Sequence, residues 1–176
     1  MRKLAEVEDA KALMREAVDW SLFTWLWQKK RVRHSADMAN DALDQLNKRI
    51  KKSWSEESRD VYRDLAEDSG SGGRKKKRNP QDSRPIDGQL KLLVKKAKDA
   101  DEDARCARAD AEATFDEADR LLSTSLAVEG CEKAIRSWEL HEKAIRKAEA
   151  VLELERDQSP KSERTKAQIS PRRVQD

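Results

Sequence analysis

Between Leu90 and Leu121 small and apolar residues fall alternately three and four apart without a break. The series runs Leu90, Leu93, Ala97, Ala100, Ala104, Ala107, Ala111, Thr114, Ala118, Leu121. Only an α-helix returns residues at that spacing to one face, so the segment reads as a long helix with a single narrow seam. Six of the ten seam positions are alanine. Small residues let a second helix approach closely, yet each layer buries less apolar area than a leucine layer would. An antiparallel partner helix suits such a seam.

The chain supplies that partner downstream. Cys131, Ala134, Trp138, His141, Ile145, Ala148 and Leu152 form a second stripe, whose phase slips near Gly130. Between the stripes stands Leu122-Ser123-Thr124-Ser125. Three hydroxyl residues suit a turn with an N-cap, and the two arms match in length. A hairpin turning at 123–126 is therefore favoured over one helix continuing through Gly130. Its register sets Cys106 opposite residue 142, far from Cys131, which excludes a disulfide between them.

Residues 3–52 read as one long helix. From Val32 the series Val32, Ala36, Ala39, Leu43, Leu46, Ile50 is a heptad seam. Leu4, Val7, Met14, Val18 and Trp25 roughly extend it, while residues 17–27 are apolar around most of the circumference. A helix apolar nearly all round is usually buried by several neighbours. Ser53 and Glu56 have the spacing of a capping box, which opens a short helix over 55–68. Ser69-Gly70-Ser71-Gly72-Gly73 stops it. Helix resumes near residues 86–89.

The fold class expected is all-α: long helices packed as a coiled-coil-like bundle containing an antiparallel helical hairpin. Aromatic residues make up only 5% of the chain and charged residues 41%, which favours thin seams over a large globular core. Four segments follow: an N-terminal helical module (1–68), a basic flexible linker (69–86), an alanine-rich hairpin (87–157) and a disordered tail (158–176). Residues 1–68 are electrically neutral, 69–89 carry +4, 90–157 carry −4 and 158–176 carry +3. The start of the chain lacks a signal-peptide apolar core and no apolar run is long enough to span a bilayer, so cytoplasmic residence is expected.

Two sets of residues are candidate binding elements. Trp20, Phe23, Trp25, Trp27, Trp54 and Trp138 are candidates for an interaction face, since tryptophan dominates binding hot spots. Trp20, Trp25 and Trp27 beside Lys29, Lys30, Arg31 and Arg33 also suit a peripheral membrane anchor. The plainer alternative is a bundle core followed by a solvated basic turn. Arg74, Lys75, Lys76, Lys77 and Arg78, with Arg172 and Arg173 in the tail, suit electrostatic contact with nucleic acid, without aromatic residues between them to read sequence. The plainer alternative there is a solubilising linker.

Chemistry is thinly represented. Cys131 and His141 lie ten residues apart, roughly 15 Å along a helix, and cannot share a metal ion on one straight helix. His141-Glu142 begins the zincin pattern, but Ile145 stands where the second histidine belongs. No nucleophile elbow, P-loop or dinucleotide fingerprint occurs. His141 reads as a seam histidine beside Trp138 and Ile145. No catalytic residue, metal, cofactor or small-molecule substrate is expected. Residues 141–154 resemble the second helix of a tetratricopeptide repeat. The first-helix positions do not follow, with Glu132 in the place of the small residue, and the pattern is not repeated.

The function expected is a non-enzymatic interaction or scaffold protein acting through its apolar seams on a protein partner or a second copy. Nucleic-acid binding through the linker and tail, or membrane association through the Trp-rich helix, are the alternatives.

Overall fold

The computed structural model describes residues 2–68 and 85–158. Arg74, Lys75, Lys76, Lys77 and Arg78, the rest of the linker before Pro85, and the tail beyond Gln158 lie outside the described residues. Five helices account for nearly all of the described chain: α1 Arg2–Ala17, α2 Leu22–Lys52, α3 Glu56–Asp68, α4 Pro85–Leu121 and α5 Thr124–Gln158. They form an all-α bundle. Its spine is the antiparallel hairpin of α4 and α5, the most extensive pairing in the molecule. The α1–α2 pair lies against α5, and α3 packs on α4.

The helix expected over 3–52 is two helices. Ser21 is extended (φ −68°, ψ 162°), and its side-chain oxygen accepts a hydrogen bond from the Thr24 amide at 3.3 Å. It is thus an N-cap, satisfying a donor that the first turn of α2 leaves over. Folding back at Val18–Ser21 lets the α1 residues Val7, Ala10, Met14 and Ala17 join one core with Trp25, Val32, Ala39 and Leu43 of α2. A straight helix would have left both stripes exposed. Lys11, 5% exposed, ties α1 to α5 through Glu142 at 2.6 Å while also bonding Glu8 at 2.9 Å.

The restart after α2 is displaced as well. Ser53 closes α2, its amide donating to Arg49 and Ile50 carbonyls. The cap of α3 is Ser55, whose hydroxyl accepts from the Ser58 amide at 3.3 Å. Glu155 of α5 takes hydrogen bonds from both serine hydroxyls and from the Ser55 amide. That carboxylate favours the positive N-terminal end of α3. Helix α4 begins at Pro85, inside the expected linker; a proline in the first turn removes an amide that has no helical acceptor anyway.

The hairpin turns at Leu122-Ser123. The Ser123 amide donates to the Ala118 carbonyl at 3.1 Å and Leu122 has φ 51°. This is the Schellman arrangement, in which the left-handed residue is usually glycine. Ser123 then caps α5 through the Leu126 amide. The slipped phase at Gly130 has a steric cause: a Cβ there would stand 2.7 Å from the Phe115 ring. That ring is stacked on Trp25, with centroids 6.1 Å apart, and Arg33 lies 5.3 Å above it, so it has little room to yield. Glycine is what lets α5 pass Phe115 closely. Both cysteines are free thiols, Cys106 exposed and Cys131 buried.

A second, smaller core gathers Trp54, Val61, Leu90, Val94, Ala97, Ala148 and Val151 at the opposite end. There the Trp54 indole N–H donates to the Ala148 carbonyl at 3.0 Å.

Candidate functional site

Two groups of side chains stand apart from ordinary core packing: a polar cluster inside the bundle and an apolar end outside it.

The polar cluster centres on Asp101 of α4, only 3% exposed. One carboxylate oxygen accepts from Asn47 Nδ2 at 2.8 Å. The other accepts from Lys51 Nζ at 2.7 Å and from the Tyr62 hydroxyl at 3.2 Å. Three helices, α2, α3 and α4, therefore meet on one carboxylate. From α5, His141 brings Nε2 to 3.6 Å from Asp44 and 4.0 Å from Asp101. Arg108 pairs with Asp44 at 3.2 Å. His141 Nε2 and Asn47 Oδ1 are buried without a hydrogen-bond partner among the described residues.

Charge in this cluster follows from burial and neighbours. Burial opposes ionisation of Asp101, but the hydrogen bond and charge of Lys51, then Arg105 and Tyr62, outweigh it and hold the carboxyl below its ordinary range. Burial pushes His141 below its ordinary value. Asp44 and Asp101 pull it upward, and Arg108 and Lys51 oppose them. His141 is 5% exposed, so a substrate cannot reach its nitrogen without the helices parting. Nor is Cys131 a ready nucleophile: burial, then Glu132, pushes its thiol up to about 12.

A pH dependence follows. Because the folded state binds the His141 proton less readily than the unfolded chain does, the histidine's contribution is complete above about pH 6.5 and is lost as pH falls. Denaturant midpoints should decline between about pH 7.5 and about pH 5.5, and His141→Gln should flatten that decline. An equal slope in wild type and variant would show that His141 is not the responsible group.

The apolar end is the pole where the α1–α2 and α4–α5 turns meet. Arg33 reaches Asp116 at 2.9 Å and Asp119 at 3.0 Å, and Lys29 reaches Asp119 at 3.5 Å, which fixes the start of α2 beside the end of α4. Ten large apolar side chains are exposed among the described residues, and seven lie at this pole. Val18, Leu22, Phe23, Leu26 and Trp27 come from the first turn, Leu121 and Leu122 from the second. Phe23 and Trp27 are 77% and 78% exposed. Both fall on the outer face of α2, as do Lys30 and Arg31, which are exposed and make no ion pair among the described residues. From residue 20 to residue 36 there is no Asp or Glu.

The six aromatic candidates are thus divided. Trp25 and Trp138 are buried in the larger core and Trp54 in the smaller one. Trp20 is partly buried against the larger core. Only Phe23 and Trp27 share an open face. Arg74, Lys75, Lys76, Lys77 and Arg78 lie outside the described residues. Asn40 and Asn47, seven apart on the seam side of α2, were the sequence signal for buried polar contacts: Asn47 reaches Asp101 and Asn40 reaches Trp138. The signal for the open face was the acid-free run 20–36.

Among the described residues no group of three His, Cys, Asp or Glu side chains is placed to hold a metal ion, and no helix is long and apolar enough to cross a membrane. Compared with known protein families, curated proteins and solved structures, the chain matches none of them.

Proposed function

We propose that this chain is a non-enzymatic docking protein whose working surface is the aromatic end of its bundle. The observation that carries this reading is the exposure of Phe23 and Trp27 beside a core that is complete without them. Most seam positions of α2, α4 and α5 are covered within the chain, while Leu121, the last of the α4 series, opens onto the pole. The titratable cluster around Asp101 is enclosed and serves to hold helices together. Among the described residues, what remains for a partner is the pole that bears most of the exposed large apolar side chains. Contiguous apolar surface of this kind marks an interaction site more often than it marks ordinary exterior.

A stability measurement tests the reading. If Phe23 and Trp27 serve a partner, replacing both with serine should change the unfolding free energy by no more than about 0.5 kcal/mol. A loss of about 1.5 kcal/mol or more would mean that the two side chains support the fold, and the docking reading would be abandoned.

A further inference from the structure

We infer that the surface this pole fits is an anionic lipid bilayer, entered end-on by the first turns of α2; this rests on the docking reading above. Depth favours a bilayer. Leu22 to Trp27 spans about 7.5 Å along the helix axis at 1.5 Å per residue, comparable to the ~5–10 Å that an interfacial apolar surface enters. Lys30 and Arg31 follow, about 12–14 Å from Leu22, where a penetrating end meets lipid phosphates.

Charge favours it as well. Residues 20–36 hold Lys29, Lys30, Arg31 and Arg33 and no carboxylate. Lys29 and Arg33 are engaged by Asp116 and Asp119 of α4. Lys30 and Arg31 point their charge outward on the face of Phe23 and Trp27. On the face of Phe23 and Trp27 a second copy would present Lys30 and Arg31 again, whereas an anionic bilayer supplies their complement; the exposed carboxylates of this pole, Asp19, Asp116 and Glu117, stand on the α1–α2 turn and on α4.

Leu122 occupies a left-handed position that disfavours leucine relative to glycine, and the residue is 56% exposed. Leu122 belongs to neither apolar core. The ion pairs of Lys29 and Arg33 with α4 set an antiparallel register that brings Leu122 level with Leu26, so both turns offer leucine at the same pole.

The test is flotation of the full chain with vesicles of phosphatidylcholine alone or with about 30% phosphatidylserine. The expected result is co-flotation with the anionic vesicles, weakened by salt. Partitioning should fall about tenfold or more in both Phe23→Ser/Trp27→Ser and Lys30→Glu/Arg31→Glu. Absence of flotation overturns the inference. So does flotation that survives the Phe23→Ser/Trp27→Ser change, which would assign binding to cations elsewhere in the chain. A dimer by light scattering that the same change dissolves also overturns it, in favour of a second copy at this pole. In each of those cases the docking reading stands if Phe23→Ser/Trp27→Ser is as stable as wild type, and falls with the inference if it is not.

Discussion

Replacing Asp101 with alanine is expected to lower the unfolding free energy by about 2–4 kcal/mol, read from urea denaturation. The carboxylate is the shared acceptor of Asn47, Lys51 and Tyr62. Removing it strands the Asn47 amide, whose own carbonyl oxygen already lacks a partner. It also leaves Lys51 with the Tyr62 hydroxyl at 3.0 Å and the ring face 4.5 Å below as its remaining contacts. The Lys51 side chain is 21% exposed and gains access to water, which keeps the cost below that of a fully enclosed orphan charge. A change under about 0.5 kcal/mol would mean that the three helices do not depend on this carboxylate.

The companion experiment separates the ion pair from its burial. Asp101→Leu with Lys51→Met removes both charges and restores apolar volume, so the double variant should be more stable than the two single changes predict by addition. The acid limb gives an independent reading. The folded pKa of Asp101 is depressed, so its contribution is complete above about pH 4 and is lost as pH falls through the folded value. Asp101→Ala should shed that part of acid denaturation while keeping the decline nearer neutrality that belongs to His141.

The legibility of this molecule in its sequence divides along physical lines. The seam of α4 was legible because period alone determines a helix face; Ala97, Ala100, Ala104, Ala111 and Ala118 are all buried. The stripe from Cys131 to Ala148 was legible for the same reason. The break between α1 and α2 was not, because apolar residues continue through Val18 and Trp20 while the stop rests on one serine side chain bonding one amide. Asp101 was equally hidden. It stands among Asp99, Glu102 and Asp103, and only the position of α2 distinguishes an acid that faces a lysine from acids that face water. Tryptophan count misled in a related way. Indoles are enriched both in cores and at binding surfaces, so Trp25, Trp27, Trp54 and Trp138 look alike until the helices are assembled. The run without carboxylates was the better guide to an open face, because a solvated helix face in a chain this rich in acids normally carries some.

Trp138 provides the sharpest contrast with Trp27, and Trp138→Ala is expected to lower the unfolding free energy by about 3–5 kcal/mol. Its side chain is 1% exposed, and its indole N–H donates to Asn40 Oδ1 at 2.9 Å. Truncation removes the largest side chain joining α5 to α2 and leaves the Asn40 oxygen, itself buried, without its donor. A cavity of about 40 Å³ already lies beside the indole, lined by Arg33, Asn40, Arg108, Phe115 and Ser137 among others. Its lining is partly polar, so the enlarged space would admit water to Asn40 and hold the cost within that range rather than above it. Trp138→Phe distinguishes the two contributions. It keeps most of the apolar area and deletes the N–H, so its cost should be nearer about 1–2 kcal/mol. If phenylalanine costs as much as alanine, the hydrogen bond to Asn40 rather than packing governs the join between α5 and α2. If alanine costs less than about 1 kcal/mol, α5 is not held against α2 by this indole at all. Measured beside Phe23→Ser/Trp27→Ser, the pair of results tells whether this chain sorts its tryptophans between fold and surface, which is the premise on which the docking pole rests.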